Sequence, residues 1–248
     1  RYLLWRELKV AIEKGEIDLL IHGGDQVYAD PIWMNSDSSV NKSALSPSNS
    51  DDIESLAVRY RRWYVERAWT DIAVRQVLAS VPNLMMWDDH DIFDGWGSND
   101  SDTSPSSQVF FRAADAAFSD FQRAHGPAPL RGGSHLSAMT HGDTAILIPD
   151  LRSNRNWRKG VVVGERQLDA MDKWLREHVT DETRHLFVVL SIPLVHARVV
   201  GALRLLEIMP GTESIEDDLR DCWTSSRNRA ECEAFCKRMF SVLRKYRH

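Results

Sequence analysis

Cysteine is scarce: there are three in 248 residues, all late, at Cys222, Cys232 and Cys236. Three cysteines cannot build a disulfide framework, and none of them form a CxxC metal-binding pair. Excess positive charge is lacking as well. Lys and Arg number 31 against 36 Asp and Glu, a formal net charge of −5, so no global basic field exists to hold nucleic acid. No apolar run reaches the roughly 18–20 residues that span a bilayer; the longest lies near Leu186 to Val195. GxxxxGK[ST], HExxH and GxSxG are all absent, which removes local support for P-loop, zincin and serine-hydrolase chemistry. No signal-peptide pattern follows Arg1, and there is no internal repeat. What is present is ordinary globular composition, 43% hydrophobic and 27% charged, enough for one large or two modest domains.

Along the chain, helical and buried-strand patterns alternate. Leu4, Leu8, Ala11 and Ile12 form an amphipathic stripe that predicts a helix over residues 3–14, stopped at Gly15. Residues 17–21 form a short apolar run of the kind that makes a buried parallel strand. It ends in His22-Gly23-Gly24-Asp25-Gln26-Val27-Tyr28-Ala29-Asp30. Residues 35–52 are rich in Ser, Asn and Asp and read as a surface loop within one domain. A long helical stretch over 53–79 follows, capped by Ser50-Asp51-Asp52 and broken at Thr70-Asp71. A second strand over 81–87 ends in Trp87-Asp88-Asp89-His90-Asp91. Beyond it come a helix over 108–125, a hairpin (135–141 and 144–149) turned at Gly142-Asp143, and a helix over 165–179. A third apolar strand over 186–193 and a helix over 229–246 complete the pattern. The fold class is α/β, in which chemistry sits where strands end.

Two apolar strands that each end in acids, one with an adjacent His, supply hard oxygen donors and an imidazole, the ligands that divalent and trivalent ions take. A carboxylate at such a strand tip bridges two ions about 3.5–4 Å apart, and an ion pair of that kind activates water and clamps a phosphoryl group. The structural alternative is that Asp25 and Asp89 merely cap turns. For His90 the alternative is a ring packed beneath the loop and satisfied by Asp91. Arg152, Arg155, Arg158 and Lys159 make a local +4 cluster after the apolar run Ala145–Ile148. Guanidinium groups grip phosphate oxygens as a fork, though a solvated turn accounts for the same residues. A nucleic-acid surface with Trp157 stacking on bases is a third, thinner reading of that cluster.

Gly24-Asp25-Gln26-Val27-Tyr28-Ala29-Asp30, Trp87-Asp88-Asp89-His90-Asp91 and Asp150-Leu151-Arg152-Ser153-Asn154-Arg155 resemble, in the same order, signatures of the PhoD-like phosphatases. These form the alkaline phosphatase D branch of the calcineurin-like metallophosphoesterases. The resemblance implies a two-sheet sandwich flanked by helices, a four-layer αββα fold formed by residues 1–248 as one domain. It implies that Asp25 is a carboxylate shared by two metals, Tyr28 a phenolate ligand to a ferric ion and Asp89 a ligand to the second metal. His90 is then the group that contacts phosphate or protonates the leaving alkoxide, with Arg152 a catalytic and Arg155 a substrate-binding side chain. The implied cofactors are two metal ions, iron with calcium or another divalent ion.

The implied function is hydrolysis of phosphate monoesters or diesters by a metal-activated hydroxide. Its rival is a non-catalytic domain of the same fold that binds a partner or phosphate. The expected partner is a phosphate-ester substrate and not a nucleic acid, and the oligomeric state is open. So is location, because family members include exported bacterial and intracellular fungal enzymes. The family's first metal motif is expected upstream of Leu4 and its final Gly-Asp-x-His beyond Tyr246. No Gly-Asp-x-His occurs in the sequence, so the expectation is a domain truncated at both ends. His196, Asp94, Asp88 and the Asp217–Asp221 segment are weaker candidates. Cys232 and Cys236, at i and i+4, read as small apolar residues on one helix face.

Overall fold

Two parallel strands of three residues each fix the place where the first acidic clusters meet. In the computed structural model, which describes residues 3–34, 42–132, 134–194 and 220–244, the chain divides into two compact units. One is built from the chain up to Asp94 with Thr103–Pro127, the other from Gly95–Asp102 with the chain from Ala128 onward.

In the first unit, β1 (Leu20–His22) pairs parallel with β2 (Asn83–Met85) in the register Leu20↔Asn83, Ile21↔Leu84 and His22↔Met85. Both strands are shorter than their apolar runs. Pro82 has no N–H to extend the ladder, and its carbonyl accepts from Leu20 at 3.0 Å, where pairing starts. The ladder stops one bond beyond Met85, where Met86 N–H donates to the His22 carbonyl at 3.2 Å. Asn83 is buried and knits this sheet to its surroundings. Its amide donates to the carbonyls of Leu78 and Val81, and its oxygen lies 3.0 Å from His22 Nε2.

Helices build the rest of the unit; β2 is buried, but β1 is only partly so and leaves Ile21 exposed, unlike the buried strand expected over 17–21. α1 (Leu3–Glu13) packs against α4 (Ile72–Ser80), and α3 (Ser50–Tyr64) packs against α5 (Pro105–Phe121). α2 is the single short turn Asp30–Met34. The break expected at Thr70-Asp71 is present: α3 runs into a π turn at Val65–Trp69, and Asp71 then caps α4 by accepting from Ala73 and Val74 N–H. The cap of α3 is Asn49, one residue before the expected Ser50. Tyr60, Tyr64, Phe110, Phe118 and Trp87 are fully buried, with Trp87 stacked on Phe118 at 4.8 Å and Tyr64 on Phe121 at 5.0 Å.

In the second unit, β3 (Ser137–His141) and β4 (Thr144–Ile148) form the expected hairpin, turned at Gly142 with φ 57°. β5 (His185–Val188) lies parallel to β4. α6 (Glu165–His178) packs against α7 (Arg229–Leu243). Arg238 bridges from α7 to Glu165 and Asp169, while Glu231 accepts the N–H groups of Val162, Val163 and Gly164 ahead of α6. Cys232 is buried and Cys236 half-buried on α7, as small apolar residues would be. Gly97, at φ +87°, has no room for a side chain, since a Cβ there would lie 1.9 Å from Arg155 Cγ.

The α/β class is the one expected. No helix among the described residues is long and apolar enough to cross a membrane. Asp71→Ala, which removes the α4 cap, should lower stability by about 0.5–2 kcal/mol in urea denaturation. An unchanged midpoint would show that the cap contributes nothing.

Candidate metal centre

Because β1 and β2 are parallel and His22 sits opposite Met85, both carboxyl ends open on the same edge of the sheet. Asp25 comes three residues after the end of β1, and Asp89 and His90 come four and five after the end of β2. The loops therefore emerge side by side. One ligand atom each from Asp25, Asp89 and His90 lie within 4.8 Å of one another, and all three residues are partly buried. Among the described residues this is the one such group of three or more His, Cys, Asp or Glu.

Each loop is fixed by groups that are not themselves in the cluster. Asp91 is fully buried and accepts four hydrogen bonds. Its Oδ2 takes Asp25 N–H and Asp88 N–H, each at 2.9 Å, and its Oδ1 takes Val27 N–H at 3.3 Å and Gln122 Nε2 at 2.8 Å. Asp25 stands at φ 56°, the one described non-glycine residue with positive φ. That conformation costs an L-residue about 1–2 kcal/mol, least for Asn and Asp. Burial pushes the Asp91 carboxyl up to about 7, against the pull of its hydrogen-bond donors.

His90 is oriented by Asp30 at the start of α2. The ring Nδ1 lies 2.9 and 3.0 Å from the two Asp30 oxygens, and Asp94 N–H donates to the same carboxylate at 2.7 Å. Such a pairing sets which ring nitrogen carries the proton and leaves Nε2 for the site; Nε2 lies 3.9 Å from Asp94 Oδ1. The Asp30 hydrogen bond raises the His90 pKa from 6.5 to about 9, outweighing burial, with the Asp89, Asp30 and Asp25 charges adding to it. Burial alone would raise the Asp30 carboxyl, but the bond from His90 holds it below its usual value. The two loops are also tied through the backbone, Ala29 N–H donating to the His90 carbonyl at 2.8 Å.

Tyr28 packs against His90 with ring centroids 4.3 Å apart and planes tilted by 35°, and is 59% exposed. Its phenol pKa is raised, chiefly by the Asp25 charge and then by burial and by Asp89, Asp30 and Asp91. The hydroxyl thus feels the carboxylate field of the cluster. A bound cation reverses the sign of that field and favours the phenolate. Trp63 on α3 donates its indole N–H to the Tyr28 carbonyl at 2.9 Å, fixing the backbone that carries the ring.

The donor set fits a metal ion. The Asp25 and Asp89 carboxylates suit hard cations, and His90 beside them is oriented through Nδ1 by Asp30, which leaves its Nε2 free to serve a bound ligand rather than the ion. Of the six residues expected at the site, Asp25, Tyr28, Asp89 and His90 lie together in the first unit.

Arg152 and Arg155 lie in the second unit, 1% and 6% exposed. Arg152 donates to both oxygens of Asp221 at 2.8 and 2.6 Å and to the Trp96 carbonyl, while Arg155 lies 3.2 Å from the Asp221 carboxylate and donates to the Arg220 and Asp221 carbonyls. Both guanidinium groups are thus engaged inside their own unit, on an acid that also accepts from Ser98 at 2.9 Å. The sequence showed a cluster of charges but not their internal counter-ion, which lies 69 residues on from Arg152. Of the weaker candidates, Asp94 sits beside His90 and Asp88 is buried next to Asp91. His196 and Asp217–Asp218 lie outside the described residues.

Asp30 and Asp91 are the supporting residues that motif reading left without a role. Both stand inside the two acidic motifs; Asp91 is fully buried, while Asp30 is partly buried like Asp25 and Asp89.

Comparison with known proteins places this geometry in context. The family model described as PhoD-like phosphatase matches residues 2–228. The uncharacterized protein YGR266W of Saccharomyces cerevisiae is 21% identical over 299 aligned positions, which take in 92% of this chain and 42% of that protein. A solved structure titled "Structure of PhoD" superposes with a TM-score of 0.58 at 14% identity, over 98% of this chain and 46% of that one. The chain thus spans less than half the length of both.

The His90–Asp30 pair yields a pH prediction. In the metal-free protein, an NMR titration of His90 should give a pKa of about 9, and Asp30→Asn should return it toward 6.5. The stabilisation from the pair is complete below pH 6.5 and is lost as pH rises through about 9. A His90 pKa near 6.5 in the unsubstituted protein would contradict the pairing.

Proposed function

Since the chain belongs to the family of PhoD-like phosphatases, we propose that it hydrolyses phosphate esters in a metal-dependent reaction at Asp25, Asp89 and His90. The observation that carries this reading is the convergence of those three ligand atoms within 4.8 Å at paired parallel strand ends. Asp25 and Asp89 hold the metal ions, and the Tyr28 phenol adds a hard anionic donor suited to a trivalent ion. Iron with calcium or another divalent ion is the pair that the family resemblance implies. When bound, the ions polarise the phosphoryl oxygens and lower the pKa of a water, which is the chemistry that ester hydrolysis needs.

The chain's own residues supply orientation and a proton. Asp30 fixes the imidazole through Nδ1, so Nε2–H of His90 faces the site. From there it hydrogen-bonds the phosphate or protonates the departing alkoxide, a general acid role. The Asp30 hydrogen bond, with the nearby carboxylate charges adding to it, makes the ring strongly basic. Ions held by Asp25 and Asp89 would oppose those charges and ease release of the His90 proton. Arg152 and Arg155, the implied catalytic and substrate-binding side chains, are anchored on Asp221 within the second unit.

The test uses the full-length protein, freed of metal and reloaded, with an aryl and an alkyl phosphate. Asp25→Ala should abolish metal-dependent turnover of both. His90→Ala should lower kcat by about 100-fold or more on the alkyl ester, whose leaving group needs a proton, and by less on the aryl ester. Wild-type turnover of the alkyl ester by His90→Ala would refute the acid role. Phosphate binding without any turnover in the loaded protein would instead favour a binding module.

A further inference from the structure

We propose that Asp91 is the positioning residue of the metal cluster, holding Asp25 in the left-handed backbone conformation from which its carboxylate meets Asp89 and His90. The proposal rests on the reading of Asp25 as a metal ligand. It goes beyond that reading by assigning the loop's geometry to a buried carboxylate that touches neither metal nor substrate.

Three observations converge. Asp91 is fully buried, yet its four acceptor positions are filled by donors from three parts of the chain. Asp25 and Val27 N–H come from the loop after β1, Asp88 N–H from the turn after β2, and Gln122 Nε2 from just beyond α5. Next, Oδ2 alone receives both Asp25 and Asp88 N–H, so a single atom joins the two loops that carry Asp25 and Asp89. Finally, the residue whose N–H it takes is the one at φ 56°. A strained conformation persists when its surroundings over-determine it, and here the hold on Asp25 N–H and on Val27 N–H, two residues on, brackets the strained position. Gln122 also donates to Tyr64 Oη at 2.7 Å, which anchors the carboxylate to the aromatic core.

Asn at position 91 presents one oxygen and one NH2 group, so a donor must face at least one of the donors that Asp91 satisfies. Loss of an ordering partner of a metal ligand typically costs about 10–100-fold in metal affinity.

The test measures Mn2+ binding to the metal-free full-length protein by calorimetry, at a temperature where every variant is folded. Asp91→Asn should weaken binding at least tenfold. Asp71→Ala, a destabilised variant of the same unit that lacks only a helix cap, should stay within twofold of the unsubstituted protein. Equal affinity in Asp91→Asn, or an equal loss in both variants, would overturn the proposal. Amide hydrogen exchange on the unsubstituted protein gives a second reading that does not depend on any variant folding. Asp25 and Val27 N–H should exchange far more slowly than the flanking Gly23 and Gly24 N–H, and equal exchange would also overturn it. Absence of Mn2+ binding together with protected Asp25 N–H would sink the metal reading and leave the hold of Asp91 on the loop standing.

Discussion

The geometry of the acidic cluster depends on one buried carboxylate. Asp91 lies where neither water nor a cation reaches it, and it satisfies N–H groups that two loops would otherwise leave without partners. An unpaired N–H in such a place costs about 1–3 kcal/mol, so the two loops are held together by their own backbone requirements. The carboxylates that project from them then have no freedom to drift apart. Repulsion among Asp25, Asp89, Asp30 and Asp91 works against the cluster in the absence of a cation, and it shows in the raised pKa of Tyr28. A fold that concentrates negative charge around a partly buried imidazole is poised to gain stability from a bound cation.

The placement follows from parallel pairing. Strands that run the same way end on the same edge, so two short segments 61 residues apart, His22 and Asn83, lie side by side. The loops after those strands need no further device to meet. β2 is buried along its length, whereas β1 leaves Ile21 exposed. The break between α3 and α4 at Thr70-Asp71 lets one helical run divide its packing between α5 and α1. The second unit spends its charge differently. Arg152, Arg155 and Asp221 form a buried ion network that organises that unit.

Much of this was legible in the sequence. The hairpin at Gly142, the helix ending near Val179 and the break before Ile72 follow from local turn and capping chemistry, which acts over a few residues. The acidic motifs named Asp25, Tyr28, Asp89 and His90 because hard ligands at strand ends are a local pattern too. Strand lengths and burial were overestimated: β2 begins only where Pro82 withholds an N–H, and Ile21 in β1 and Phe187 in β5 are exposed. The partners of buried charges were not legible. Nothing local to Arg152 points to Asp221, and nothing local to Asp91 points to Gln122, because such pairs are chosen by packing at long sequence separation. His90 illustrates the limit well: the adjacent Asp91 looked like its natural partner, but the chain turns so that Asp30, sixty residues earlier, takes the ring.

The central claim is that Asp25 and Asp89, held by Asp91, share a metal site with His90 beside it. Anomalous diffraction from crystals of the full-length protein grown with Mn2+ or iron tests it most directly. A peak is expected about 2.0–2.4 Å from carboxylate oxygens of Asp25 and Asp89, with Asp91 still bonded to Asp25 N–H. A metal peak bound by other residues, with the Asp25 carboxylate turned away, would contradict it.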